Sequence, residues 1–387
     1  MTIIKTDQWG TYHVGDRSFV SKLEAIQYQR QTRKSLSWNF QECKFAAHDW
    51  SIEPRQSLWE LYSERAIELR QNYDYIILLY SGGADSENVL TAFERNGLMV
   101  DEIRIGYAGD YAKASSLDVW SNLELYYVAI PRAKALQKTW PSLEVSIVNM
   151  TPLVLSSLDH HTDDDLHYAN NMGWSLWQRQ RFGMTMDHGH DWIERTKSKK
   201  RVAVLWGKDK TFVNLVDNKY AVQFIDRHLN GNLSALPDNA CHEYFYWSPD
   251  AVKILIKQGH VLKNFYRTAD HDPNWHDNNS KFILKKIDYQ WHYNTTQIGN
   301  KITMINNGCY NTLIYPFYDA TIYDVGKIEY QTQSQSLNHM LAQKPGSEKQ
   351  FESYVAKCFD FYRHDWTAGD RRAYGPKGVV SRPWFLE

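Results

Sequence analysis

At 387 residues, with 43% hydrophobic and 23% charged, the chain has the length of two to three domains and the composition of a folded globular protein. A net charge of −1 excludes a uniformly basic nucleic-acid coat, and an aromatic content of 14%, with 15 Trp and 25 Tyr, speaks against a disordered chain. The four cysteines (Cys43, Cys241, Cys309 and Cys358) stand far apart, so there is no C-x-x-C redox or zinc pair. No charged leader with an apolar core opens the chain, and no apolar run approaches the ~20 residues that span a bilayer. A reducing, cytoplasmic setting without membrane contact is the expectation.

Residues 1–70 read as a small α+β region. "WGTYHVGDRSFVS" alternates around a Val-Gly-Asp turn signal and predicts a hairpin. "SKLEAIQYQRQTRK" starts at an N-cap residue, Ser21, and spaces Leu23, Ile26 and Tyr28 for a short helix. A second helical pattern follows, with Leu58, Leu61, Ala66, Ile67 and Leu69 mostly on one face.

From Tyr75 the pattern changes. "YDYIILLY" is a continuous apolar run, as for a strand buried on both faces of a parallel sheet. A helix is predicted from Ala84 to the Asn96-Gly97 stop, and a second strand over Ile103–Tyr107. The stretch 116–138 reads as helical with a kink near Pro131, "SLEVSIVNM" as a third strand, a helix follows Asp163, and "RVAVLWG" is a fourth strand. Strands alternating with helices over residues 71–230 predict an α/β domain, a doubly wound parallel sheet. Residues 231–387 lose this rhythm. They read as an irregular, partly helical substrate or accessory region, with a helix start at Ser248-Pro249-Asp250.

The chemistry concentrates at "LLYSGGADSENVL". In an open α/β sheet ligands bind beyond the carboxyl ends of strands, and Ser81–Ser86 stands there. Gly82 and Gly83 reach backbone angles that let amides turn inward as an anion nest. The helix beginning at Ala84 points its positive end at the same spot, and Ser81 and Ser86 add hydroxyls. Asp85 makes sense beside phosphate only with a cation between them, as Mg²⁺ is held. All five fixed positions of S-G-G-x-D-S are present, as Ser81, Gly82, Gly83, Asp85 and Ser86.

This segment resembles the PP-loop of the N-type ATP pyrophosphatases. That superfamily includes asparagine synthetase, GMP, NAD and argininosuccinate synthetases, the tRNA lysidine and thiolation enzymes, and the 7-cyano-7-deazaguanine synthases. The resemblance implies an adenine nucleotide alpha hydrolase-like fold that cleaves ATP between its α and β phosphates. It implies that the Ser81–Gly83 amides, Ala84 and Ser86 cradle pyrophosphate and that Asp85 binds Mg²⁺. A second constellation, Gly207, Lys208, Asp209 and Lys210, follows the fourth strand. It partly matches the acidic motif of asparagine synthetases, which makes Gly207 a nucleotide contact, Asp209 the second Mg²⁺ ligand, and Lys208 and Lys210 partners of the phosphoryl oxygens. Adenine would lie against the end of the second strand, at Tyr107, Ala108 and Gly109.

Three histidine-rich stretches, 159–167, 187–191 and 270–277, contain no H-E-x-x-H or closed Cys/His set and read as polar loops near a substrate pocket. The basic and aromatic tail, with Arg371, Arg372, Tyr374, Lys377, Arg382, Trp384 and Phe385, reads as packing on the domain rather than as a nucleic-acid stacking surface.

Three functions compete. The first is an AMP-forming ligase of asparagine synthetase type, acting on an amino-acid or nucleotide substrate. Thr2 follows Met1 and little chain precedes the loop, so no glutaminase is expected; ammonia would come free, from an amine substrate, or from a separate donor. The chain is similar in this respect to phage-encoded asparagine synthase-like proteins, which work in the host cytoplasm. The second is nucleobase modification in tRNA, DNA or a free nucleotide, where the absent cysteine pair argues against sulfur transfer. The third is a non-catalytic nucleotide-binding module, which the intact Ser81, Asp85 and Ser86 oppose.

Overall fold

The computed structural model describes residues 10–20, 22–107, 125–149, 152, 155, 191–207, 211, 213–226, 237–271, 313–317, 344–347, 349, 350, 353, 356 and 379–387. The hairpin expected at the start is present as β1 (Thr11–Val14) and β2 (Arg17–Phe19), turning at Gly15 with φ +63°. A third strand, β3 (Leu36–Asn39), pairs antiparallel on the other side of β1. Helix α1 (Lys22–Thr32) packs on this sheet; its expected cap, Ser21, lies outside the described residues. After the short α2 (Glu42–Phe45), α3 (Leu58–Asn72) opens on a capping box. The Ser57 side chain accepts from the Glu60 amide, and the Glu60 carboxylate accepts from the Ser57 amide.

The apolar run becomes β4 (Tyr75–Leu79), with Ile76, Ile77 and Leu78 buried, and leads into α4 (Ala84–Arg95). Strand β5 (Glu102–Tyr107) follows. Near Pro131 the helical stretch is a π-helical turn, Leu125–Ala129, handing over to α5 (Ile130–Thr139). Pro131 sits in the first turn of α5, where its fixed φ suits the helix. Next come β6 (Glu144–Asn149), α6 (Asp191–Thr196) and β7 (Val202–Trp206). The helix expected after Asp163 falls outside the described residues.

Three strands that the sequence pattern did not predict follow. Strands β8 (Val213–Val216) and β9 (Lys219–Val222) form a hairpin whose turn residues, Asp217 and Asn218, both have positive φ, at 50° and 60°. Strand β10 (Ala240–Tyr244), in a stretch expected to be helical in parts, instead pairs in parallel with β7 and lies beyond the expected boundary at 230. The Ser248-Pro249-Asp250 start is real: Ser248 caps a 3₁₀ turn, Pro249–Ala251, that runs into α7 (Val252–His271). In the tail, β11 (Trp384–Phe385) pairs with β9.

The central sheet is therefore five-stranded and all parallel, in the order β10-β7-β4-β5-β6, with flanking helices: an α/β fold. From β4 the chain adds β5 and then β6 on one side, and then crosses back to place β7 on the other side of β4. The winding reverses between β4 and β7. One apolar core runs from Tyr12 to Leu386, joining the N-terminal sheet, the parallel sheet and the tail. Among the described residues no helix is long and apolar enough to cross a membrane.

Candidate functional site

The loop after β4 and the loop after β7 leave the carboxyl edge of adjacent strands, at the point where the strand order reverses. That is where open α/β sheets leave a crevice. Gly82 is buried with φ +83°, and a Cβ there would stand 3.0 Å from the Cβ and amide of Ala129, so the loop is seated against the π-helical turn. Such turns recur at functional positions because they re-aim one turn of a helix. Gly83 is the N-cap of α4, which places Ala84, Asp85 and Ser86 in its first turn.

The loop is knit by its own serines. Ser81 Oγ accepts from the Gly83 amide at 3.1 Å, and Ser86 Oγ accepts from the Ser81 amide at 3.3 Å. Ser86 Oγ also donates to the Gly83 carbonyl at 3.1 Å, and the two hydroxyls lie 3.3 Å apart. Gly207 presses on this turn from β7: a Cβ there would lie 2.7 Å from Ser86 Cα and 3.1 Å from the Asp85 carbonyl. The structure thus brings Ser81–Ser86 and Gly207 together. Lys208, Asp209 and Lys210 lie outside the described residues, as do Ala108 and Gly109. Tyr107 closes β5 beside Asn149, at the same edge of the sheet as the loop.

Asp85 is half-buried and sits among tyrosines that no sequence motif announced. Tyr315 Oη donates to Asp85 Oδ1 at 2.6 Å, and Tyr246 Oη donates to the Asp85 carbonyl at 2.9 Å while accepting from Asn88 Nδ2 at 2.8 Å. Tyr62 packs edge-on against Tyr246 with ring centroids 5.8 Å apart. Burial pushes all three phenols above their ordinary value, and the nearby Asp85 charge adds to this, so they act as neutral hydroxyl donors. These residues come from α3, the segment after β10, and residues 313–317; they lie too far apart in sequence for any spacing rule to link them.

Around the loop, Glu87 in the first turn of α4 accepts from Tyr80 Oη at 2.5 Å and from Arg132 Nε at 3.0 Å. Arg132 reaches Glu94 as well, so its charge is balanced on α4. Among the described residues no three His, Cys, Asp or Glu side chains cluster as a metal site. Of the histidine-rich stretches only residues 191, 270 and 271 are described. A cleft of about 450 Å³ opens beside β10, lined by Asn39, Gln41, Lys44, Glu243 and Ser248 among others; residues 81–86 are not part of its wall.

Chemically, the turn offers backbone amides, two hydroxyls and a helix N-terminus for an anion, with one oriented carboxylate for a cation. No protein-family model matches the chain, and no curated protein sequence matches it.

Proposed function

We propose that the chain is an AMP-forming ATP pyrophosphatase of the PP-loop type, on a doubly wound, adenine nucleotide alpha hydrolase-like fold. It activates a carboxylate or carbonyl oxygen for attack by an amine or ammonia. The observation that carries this reading is the position of Ser81–Ser86: at the reversal of strand order, at the head of α4, and packed directly on Gly207.

In this reading pyrophosphate takes over the Gly83 and Ser81 amides from the serine hydroxyls that now hold them, and the hydroxyls turn to phosphate oxygens. Gly82, with its left-handed backbone and no side chain, lets the turn seat directly against Ala129. A cation at Asp85 fits this donor set, because Mg²⁺ uses one or two carboxylates and fills its shell with phosphate oxygens and water. Bound there with Asp209, it would neutralise charge on the departing pyrophosphate. The acceptor oxygen bonds to the α phosphorus as the bond to pyrophosphate breaks. The nitrogen nucleophile then forms the C–N bond, loses a proton and displaces AMP. Positioning and charge neutralisation, rather than proton transfer by a side chain, carry the first step.

The test is pyrophosphate release from ATP and Mg²⁺ with pooled amino acids, amines and RNA. Release is expected with a small-molecule pool, and Asp85→Asn is expected to lower it on the order of 10²-fold or more. No release with any pool, or full activity in Asp85→Asn, would refute the reading. Release that requires RNA would move the acceptor to a nucleobase.

A further inference from the structure

We propose that Tyr315 is a positioning residue for the Asp85 carboxylate, and that Tyr62 sets Tyr315 through the neighbouring carbonyl of Ile314. The inference rests on the ATP pyrophosphatase reading of the same loop and adds to it a part that lies outside the motif.

Asp85 stands in the first turn of α4. Left alone there, a carboxylate rotates about two side-chain bonds. Tyr315 Oη holds one of its oxygens at 2.6 Å, a short bond of the kind made to charged acceptors. A carboxylate has about four acceptor positions, and the bond from Tyr315 takes one of them and so fixes the orientation of the group. Tyr62 and Tyr246 donate to backbone carbonyls, of Ile314 and Asp85 respectively, whereas Tyr315 donates to the side chain of the loop's aspartate.

The hydroxyl is itself held in place. Tyr62 Oη donates to the Ile314 carbonyl at 2.7 Å and accepts from Gln258 Nε2 at 2.8 Å. Gln258 Oε1 in turn accepts from Thr211 Oγ1 at 2.7 Å and from the Thr211 amide at 3.3 Å. Tyr62, Gln258, Thr211, Ile314 and Tyr315 are all buried, so each bond is made away from competing water. The relay starts just after the Gly207–Lys210 stretch and ends on Asp85. It therefore ties together the two strand-end segments that the proposed chemistry needs.

The test uses the full chain, with Mn²⁺ as the metal probe and α,β-methylene-ATP as the uncleavable nucleotide. Mn²⁺ affinity is read by electron paramagnetic resonance, metal-free nucleotide affinity by calorimetry, and folding by thermal melting. Tyr315→Phe is expected to weaken Mn²⁺ binding to the nucleotide complex about 10- to 100-fold, the range typical for partners that orient a metal ligand, with metal-free nucleotide affinity unchanged. Tyr62→Phe is expected to weaken it by a smaller factor. The double variant should be no worse than Tyr315→Phe, because both act through one bond. Equal Mn²⁺ affinity in the parent and a folded Tyr315→Phe would overturn the positioning role and leave the ATP reading standing. If Tyr315→Phe does not fold, Tyr62→Phe decides, and unchanged Mn²⁺ affinity there overturns the proposal. A parent that binds neither Mn²⁺ nor the nucleotide removes the ATP reading and this inference with it.

Discussion

An ideal Cβ on Gly207 would stand 2.7 Å from Ser86 Cα, and the atom it meets is backbone, which cannot swing aside. Gly207→Ala therefore has to push the first turn of α4 away from β7. The expected cost is about 1–3 kcal/mol, typical of forced overpacking, together with weakened binding of α,β-methylene-ATP. Thermal melting and calorimetry of that variant check it; parent-like values in both would show that the turn is not clamped from β7. The sequence places Gly207 after a strand where it could face the loop, as an expected nucleotide contact; its packing on Ser86 emerges only from the fold. Gly82, Asp85 and Ser86 stood out in the sequence through the S-G-G-x-D-S spacing between an apolar run and a helical pattern. Nothing comparable marks Tyr62, Tyr246 or Tyr315, since 25 tyrosines are spread through the chain and only folding selects these three.

Strand β10 shows where periodicity fails as a guide. "ACHEY" is short, mixed in polarity and followed directly by aromatic residues and a true helix start, so its pattern is absorbed into the helix that follows. Pairing with β7 decides its conformation. As an edge strand it needs protection, and Arg65 of α3 supplies it by donating to the Tyr244 carbonyl at 3.2 Å and pairing with Glu243 at 2.9 Å. On the same strand, His242 Nδ1 accepts from Trp206 Nε1 at 3.0 Å, and burial lowers the ring's pKa from 6.5 to about 3. Between those values the unfolded chain takes up a proton that the folded protein refuses. Stability contributed here is complete above pH 6.5 and falls as the pH drops toward 3, with a slope approaching about 1.4 kcal/mol per pH unit. Urea unfolding from about pH 7 to about pH 4 should show this loss, and His242→Gln should flatten it. Parallel profiles for the two proteins would refute the assignment. Strands β4 and β7 were legible as unbroken apolar runs, as for strands covered on both faces, while β5 and the part-exposed edge strand β6 were read from mixed segments between helical patterns. The hairpin β8–β9 was not, because its turn uses Asp-Asn rather than a glycine.

At the scale of the molecule, the distant ends of the described chain meet on Asp226. Its Oδ2 accepts from Tyr12 Oη at 2.7 Å and pairs with Lys22 Nζ at 2.8 Å, while Oδ1 accepts from the Val379 amide at 2.8 Å. Tyr12, Lys22 and Asp226 are buried, and in the same core as Tyr12 the ring of Trp50 stacks on Trp384, with centroids 5.4 Å apart. Of the tail residues expected to pack, Trp384 is buried and Phe385 is exposed, while Arg371, Arg372, Tyr374 and Lys377 lie outside the described residues. Asp226→Asn keeps an acceptor for Tyr12 but leaves the Lys22 charge buried without its counter-ion. A loss of about 3–5 kcal/mol is expected in urea unfolding, and a loss below 1 kcal/mol would mean that Lys22 reaches water in the variant. The parallel order of the sheet followed from the alternation of strands and helices. The N-terminal and C-terminal segments that share its core did not, because they carry no repeating unit that would assign them a partner.

Tyr315 meets Asp85 across 230 residues, and Tyr62 meets Ile314 across 252. The turn they act upon closes within six residues, and β4 finds β5 through one short helix. Closing a longer loop costs more entropy, and contacts that close long loops form late. During folding the Ser81–Ser86 turn is therefore expected to take shape early, as a local event, and the Tyr315–Asp85 and Tyr62–Ile314 bonds to be among the last contacts made.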